Sequence, residues 1–122
     1  MASRVVETFA GRIDLRLFHS QRKAYRLARG LGLSLEPFDG HNAWTFCAMS
    51  NSGEFVAVVL MTGTSTTIEE SALLAHEAVH VKQRWLSSIG EGNPGTEEEA
   101  YIVQSVLVNL LDMHELWKRK HK

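Results

Sequence analysis

The stretch "AWTFCAMSNSGEFVAVVLM", residues 43–61, places two apolar runs on either side of a short polar segment. The segment "SNSG" contains Gly53 and has the composition of a turn. The second run, Phe55–Met61, is apolar throughout and is typical of a buried strand. It is much shorter than the roughly 20 residues that a helix needs to cross a bilayer. The stretch therefore predicts a β-hairpin at the centre of the fold.

Upstream of the hairpin, the chain changes from an alternating pattern to a helical one. Apolar and charged residues alternate from Arg12 to Phe18, which predicts a strand with one solvent-facing side. Ser20 is placed to cap a short helix, and Gly30 marks its end. The first part of the chain therefore predicts a strand followed by a helix.

Downstream of the hairpin, two longer helices are predicted. The first begins at Thr67, whose side chain forms a capping box with Glu70, and runs to about Ile89. A break rich in glycine follows. Thr96 then caps a last helix that continues to about Trp117.

This order of elements predicts one α+β domain over residues 1–122. We expect a small, mainly antiparallel sheet, made of the N-terminal strand and the β-hairpin. The short helix and the two longer helices are expected to pack on one side of it. The length of 122 residues and the hydrophobic content of 44% are sufficient for one compact core.

Charge and cysteine content restrict the class of protein. Thirteen Lys and Arg balance fourteen Asp and Glu, so no global basic field favours nucleic acid or an anionic membrane. Cys47 stands alone, which excludes an internal disulfide and suits a reducing compartment. The N-terminal residues lack the continuous apolar segment of an export signal. We therefore expect a cytoplasmic protein.

The segment "LLAHEAVHVKQRW", residues 73–85, carries the pattern with the clearest chemistry. On a helix His76 and His80 lie about 40° apart and one turn along the axis, so both imidazoles can reach one metal ion. Glu77 lies about 60° beyond His80, beside the ligands and suited to act as a general base. Neutral imidazoles with a third protein ligand and one open position are what catalytic Zn²⁺ requires. The alternative is an ordinary helix in which this spacing arose by chance.

A third ligand must come from elsewhere, and "TEEEAYIVQSVLVNLL" offers three carboxylates. Glu99 shares its helical phase with Val106 and Leu110, whereas Glu97 and Glu98 point in other directions. A carboxylate on an apolar stripe needs a compensating charge, which a zinc ion provides. Two alternatives stay open: Glu99 closes a capping box with Thr96, or Glu98 is the ligand instead.

These motifs resemble the gluzincin class of zinc metallopeptidases, in which a Glu on a following helix is the third ligand. The match consists of "HEAVH" and of the "EA" that begins nineteen residues after His80, at Glu99. On "HEAVHVKQ" and "EEEAY", the chain also resembles very short zincin-like proteins often found in phage and prophage genomes. The resemblance covers about residues 67–111.

The resemblance implies a zincin-like fold, with His76, His80 and Glu99 as zinc ligands and Glu77 as the general base. It also implies that strand Phe55–Met61, or its neighbour, offers its edge to an extended peptide. Many gluzincins have an Asp four residues after the third ligand, and this chain has Val103 there. The residues that orient the ligands must therefore differ.

The sequence thus predicts hydrolysis of a peptide or protein substrate by a zinc-activated water. Two alternatives remain: a zincin-like binding or regulatory module without catalysis, and a DNA-associated accessory protein that uses the basic end "WKRKHK". No residue is assigned as a further donor to the oxyanion. His41, Asn42, Tyr101 and His114 are the candidates.

Overall fold

The computed structural model describes residues 2–33, 42–62, 66–92 and 95–121. These residues form an α+β fold with a four-stranded mixed sheet and three helices. The elements in chain order are β1 (Ala2–Thr8), β2 (Gly11–Phe18), α1 (Gln21–Gly30), β3 (Ala43–Met49), β4 (Phe55–Met61), α2 (Thr67–Ser88) and α3 (Thr96–Lys120). The predicted order is therefore confirmed, with one strand added at the start.

The sheet is built around β4. Its strand order is β1-β2-β4-β3, so β4 has a partner on each side. The predicted hairpin is present: β3 pairs antiparallel with β4, and Phe46 lies opposite Val58. On the other side β4 runs parallel to β2, with Leu17 opposite Val59. Two of the three strand pairs are antiparallel, as the sequence predicts.

The main core lies between one face of the sheet and helices α2 and α3. Alternate residues of β4, such as Ala57 and Val59, face this core, and both are fully buried. The helices contribute apolar stripes at helical spacing, since the side chains of one helix face recur every three or four residues. These stripes contain Leu74, Ala78, Val81 and Trp85 of α2, and Ile102, Val106, Leu110 and Met113 of α3.

Helix α1 covers the opposite face of the sheet. Its buried residues Ala24 and Ala28 pack in a second cluster with Val56, Val58 and Leu60 of β4. The prediction that all helices lie on one side is therefore wrong for α1. The physical reason is that a strand apolar on both faces needs cover on both faces.

The strand β1 was not predicted from the sequence. It pairs antiparallel with β2 along its whole length, from Ala2 opposite Leu17 to Thr8 opposite Gly11. Val6 is its one buried apolar residue, whereas Val5 is 61% exposed. An outer strand with so little buried surface leaves almost no periodic signal in the sequence.

The helix caps differ from those predicted. Thr66, and not Thr67, caps α2, because its hydroxyl accepts a hydrogen bond from the Glu69 amide at 3.2 Å. Glu70 is thereby free of a capping role and turns inward, where it is 5% exposed. Helix α3 follows Gly95, which forms no side-chain cap, and it continues past Trp117 to Lys120. No helix within the described ranges is long and apolar enough to span a membrane.

Truncating side chains on the two faces of α2 should change the free energy of unfolding by very different amounts. We expect Leu74→Ala to lower the free energy of unfolding by about 2–5 kcal/mol, since it removes a fully buried side chain from the main core. The matched control is Ile68→Ala on the same helix, because Ile68 is 82% exposed and its truncation should change stability by about 0.5 kcal/mol or less. Urea denaturation measures both, and equal losses would contradict this assignment of the core.

Candidate active site

The two histidines of "HEAVH" lie on the solvent side of α2 and approach each other closely. The core-facing residues Ala78 and Val81 set the phase of the helix, which leaves His76 exposed and His80 half-buried. Their Nε2 atoms lie 3.1 Å apart, and the two rings stand at 76° to each other. The structure therefore brings together the first two predicted ligands.

The contact of Gln83 with His80 bears on which nitrogen of that ring carries the proton. His80 Nδ1 lies 3.2 Å from Gln83 Oε1, one turn further along α2. An amide oxygen only accepts, so Nδ1 carries the proton and donates it to Gln83. The Nε2 atom of His80 then keeps its lone pair, as a metal ligand needs, and accepts the 3.1 Å hydrogen bond from His76 Nε2–H. A shared metal ion would require His76 to carry its proton on Nδ1 instead.

Glu77 points to the sheet side of the histidine pair. It is 4% exposed, and its Oε1 atom accepts a hydrogen bond of 2.8 Å from the Thr45 hydroxyl of β3. Thr45 is itself buried, so this contact fixes the carboxylate between α2 and the outer strand. The predicted base is therefore held in place by a residue 32 positions earlier, which the local pattern does not reveal.

Glu99 is engaged by a cation from α2. The Lys82 ammonium and the Glu99 carboxylate form a short ion pair between α2 and the first turn of α3. Across the described ranges, no three His, Cys, Asp or Glu side chains are grouped so as to hold one metal ion. Glu99 is thus compensated by an ammonium, and the side chains as placed bring together two of the three predicted ligands.

Glu98 and Glu99 point in different directions at the start of α3. The predicted cap Thr96 is the first residue of the helix, so it does not form a capping box with Glu99. Glu98 is exposed, and its carboxylate folds back over Gly95, at the start of its own helix. Of these two glutamates, Glu99 is the one that turns toward α2.

A second polar cluster lies near the N-terminal end of α2. Glu70 Oε1 lies 3.2 Å from His114 Nε2 and 3.1 Å from Lys118 Nζ, both on α3. Burial raises the pKa of Glu70, but His114 and Lys118 outweigh this effect and hold the pKa below its ordinary value. His114 was considered as an oxyanion donor, and instead the structure buries it in this ion-paired cluster.

The cluster extends to the surface through His19. His114 Nδ1 lies 2.9 Å from His19 Nε2, and the His19 ring stacks on Trp117 with 3.8 Å between ring centroids. Burial lowers the pKa of His19 to about 4, with a further contribution from His114 and His121. Trp117 in turn stacks on His121.

Helical phase is the sequence signal for this cluster. Glu70 precedes Leu74 by four residues and therefore shares the buried face of α2, although its position also suits the predicted capping box. The cluster also engages the basic end of the chain, because Lys118 pairs with Glu70 and Trp117 packs on His19. Arg119 and Lys120 of that end are exposed.

Of the remaining oxyanion candidates, Tyr101 and Asn42 form no hydrogen bond with the histidine pair among the described contacts. Tyr101 is 62% exposed on α3, Asn42 is an exposed residue before β3, and His41 lies outside the described residues. Cys47 follows Thr45 on the same face of β3, and burial raises the pKa of its thiol to about 12, so the thiol is protonated at neutral pH.

A large cleft among the described residues lies apart from the histidine pair. A cleft of about 710 Å³ lies near the C-terminal end of α2, and its lining includes Trp85, Ser88 and Gly11. His76, Glu77 and His80 do not line it. The candidate site lies between α2 and the outer strand β3, outside this cleft.

Comparison of the chain with protein-family models, with curated proteins and with solved structures gives no match.

The low pKa of His19 predicts how stability changes with pH. In the unfolded chain the ring titrates near 6.5, and in the folded protein near 4. As the pH falls from 6.5 toward 5, the unfolded state binds a proton that the folded state does not, so stability falls. His19→Gln should make this fall shallower, by less than about 1.4 kcal/mol per pH unit because part of the ring is exposed.

Thermal unfolding between pH 5 and 7 measures this slope, and over this range the carboxylate of Glu70 stays ionised. The control is His121→Gln, at the exposed end of the same ring stack, which makes only a minor contribution to the pKa of His19 and should change the slope much less. If His19→Gln and the wild type show the same slope, the ring of His19 is not shielded as described.

Proposed function

We propose that this chain is a zinc-dependent peptide hydrolase, with His76 and His80 as two ligands and Glu77 as the general base. One observation carries the proposal, which is the 3.1 Å separation of the two Nε2 atoms. Two nitrogens that each lie about 2.05 Å from a tetrahedral zinc ion are about 3.3 Å apart. The rings therefore already have nearly the spacing that a shared zinc ion requires.

The donor set also fits this metal. Zinc prefers imidazole and carboxylate ligands, and Gln83 fixes His80 in the tautomer that leaves Nε2 unprotonated. Bound zinc would supply a Lewis acid and lower the pKa of a water ligand toward about 7. We propose Glu99 as the third ligand, which requires it to exchange the Lys82 ammonium for the metal.

Glu77 has the position and the support that a general base needs. Its Oε1 atom is bonded by Thr45, so proton transfer would take place at Oε2. The Thr45 hydroxyl and the packing of α2 on the sheet hold the carboxylate in one orientation, which limits its reorganisation during the reaction. After accepting a proton from water, Glu77 would pass it to the departing amine.

The strand order of the sheet restricts which strand edge an extended peptide can pair with. The resemblance pointed to β4 or its neighbour, but β4 has strands on both sides and therefore no free edge. β3 is the outer strand on the side of α2, and it carries Thr45 next to Glu77. We propose that substrate pairs with the outer edge of β3.

The second candidate is a zincin-like binding module without catalysis. Two observations favour it: the pairing of Glu99 with Lys82, and the position of the 710 Å³ cleft away from the histidines. In this case the helix pair and the sheet persist as a scaffold, and Lys82 permanently takes the place of a metal. Metal content and hydrolysis therefore need separate measurements.

Metal content tests the ligands. Protein purified with added zinc should contain about one Zn²⁺ per chain, and His76→Ala, His80→Ala and Glu99→Ala should each reduce this strongly, since a site with one ligand missing binds weakly. The control for Glu99→Ala is Glu97→Ala, an exposed residue of the same run. Elemental analysis by mass spectrometry gives the ratio, and a folded wild type without zinc would overturn the proposal.

Hydrolysis of denatured casein tests the base. Glu77→Gln should keep its zinc but lose activity by about 100-fold or more, because a positioned general base contributes 10²–10⁴. Glu69→Gln on the same helix is the control and should remain active. Zinc binding without measurable hydrolysis by the wild type would favour the binding module.

A further inference from the structure

The solvent face of α3 carries a discontinuous stripe of exposed apolar side chains, in which the polar residues Ser105 and Asp112 lie between the apolar ones. Arg4 of β1 reaches this face and pairs with Asp112 at 2.9 Å. Tyr101 is 62% exposed, Val108 57% and Leu116 40%. Their separations of seven and eight residues correspond to two helical turns each, so the three side chains share one side of the helix. The core stripe of Ile102, Val106 and Leu110 is centred about 140° around the helix from Tyr101, and Leu116 lies between the two, about 60° from Tyr101.

The two ends of this stripe have opposite charge. The first turn of α3 contains three glutamates and the last turn three basic residues. Glu99 is engaged by Lys82, and Lys118 is engaged by Glu70. Glu97 and Glu98 are therefore the exposed carboxylates of one end, and Arg119 and Lys120 the exposed cations of the other. The helix dipole favours such charges, but it gives no reason for large apolar residues between them.

From this pattern we propose that α3 pairs antiparallel with α3 of a second copy of the chain. In a two-fold antiparallel pair, residues at equal distances from the axis lie opposite each other. With the axis beside Val108 and Asn109, Tyr101 lies opposite Leu116 of the second copy. The same register places Glu98 opposite Arg119, and Glu97 opposite Lys120. This register matches the apolar and charged positions at the two ends of the helix, and it places Ser105 opposite Asp112, which is paired with Arg4 of its own chain.

The cleft beside Tyr101 is the place where Leu116 of the second copy would bind. A cleft of about 190 Å³ lies between the turn after β1 and the first turns of α3, lined by Phe9, Tyr101 and Ile102 among others. Phe9 is 56% exposed, so this turn extends the apolar surface beyond the helix. Glu7 and Glu98 also line the cleft, and they would face the cations of the last helical turn of the second copy.

Symmetry makes these contacts occur twice. Each copy offers one cleft at the start of α3 and one Leu116 near its end, so the dimer closes without leaving either surface free. Specific interfaces usually bury about 1,200–2,000 Å², and a single helix pair with two small flanking turns falls toward the low end. The dimer is therefore concentration-dependent, and its charged ends make it weaker at high salt.

Sedimentation equilibrium over about 1 to 100 µM chain tests the assembly. The wild type should show a monomer–dimer equilibrium that shifts toward monomer when salt is raised. Val108→Arg places two cations side by side at the axis and should leave only monomer over the same range. Ile68→Arg, at an exposed apolar position of α2, is the matched control and should dimerise as the wild type does.

Charge reversal tests the register. Glu97→Lys with Glu98→Lys should give a monomer, as should Arg119→Glu with Lys120→Glu, because each makes both ends of α3 alike. Mixing these two variants should give a heterodimer, and combining all four changes in one chain should restore the homodimer. Circular dichroism confirms that each variant is folded.

A wild type that stays monomeric at about 100 µM overturns the proposal. So does a dimer that survives Val108→Arg, since its interface would lie elsewhere. Two charge-reversed variants that fail to associate when mixed overturn the antiparallel register.

Discussion

The burial of β4 on both faces is the constraint on which the rest of the structure depends. All seven residues from Phe55 to Met61 are buried, and the strand has a hydrogen-bonded neighbour on each side. Such a strand requires a helical layer above the sheet and another below it. α2 and α3 form one layer, and α1 forms the other. The positions of all three helices thus follow from one apolar segment.

The same constraint sets the geometry of the candidate site. Leu74, Ala78 and Val81 must face the sheet, and this fixes the rotation of α2 about its axis. His76 and His80 consequently point away from the core, and Glu77 lies at the boundary, against Thr45. One exposed and one half-buried imidazole beside a buried carboxylate result directly from packing an amphipathic helix on the sheet. The proposed hydrolysis requires accessible imidazoles to bind the metal and a buried, fixed carboxylate to act as the base.

Local sequence patterns were sufficient for features whose causes are local. The β3–β4 hairpin, the two long helices and the approach of His76 to His80 depend on periodicity within a few turns, and the sequence predicted each of them. Features that join distant segments could not be read in this way. The Thr45–Glu77 hydrogen bond and the contacts of Glu70 with α3 each join different elements.

Where a local rule competed with a tertiary contact, the tertiary contact prevailed. Glu70 suits a capping box, yet an ion pair with Lys118 and close contact with His114 hold its carboxylate, while Thr66 caps the helix one residue earlier. β1 escaped prediction because a strand that buries one apolar side chain has no clear period. The role of Glu99 as a ligand stays a prediction, since phase alone cannot distinguish a metal from the Lys82 ammonium as its counter-charge.

The parallel pairing of β2 with β4 affects the order in which the strands come together during folding. Both hairpins join strands that are neighbours in sequence, so each closes a short loop. The β2–β4 pairing instead aligns Ile13 with Phe55, and the intervening chain includes α1 and β3. Closing this large loop costs more entropy than either hairpin and is repaid only by the completed core. During synthesis the N-terminal hairpin must therefore wait for residues 55–61 to leave the ribosome before it gains a lasting partner.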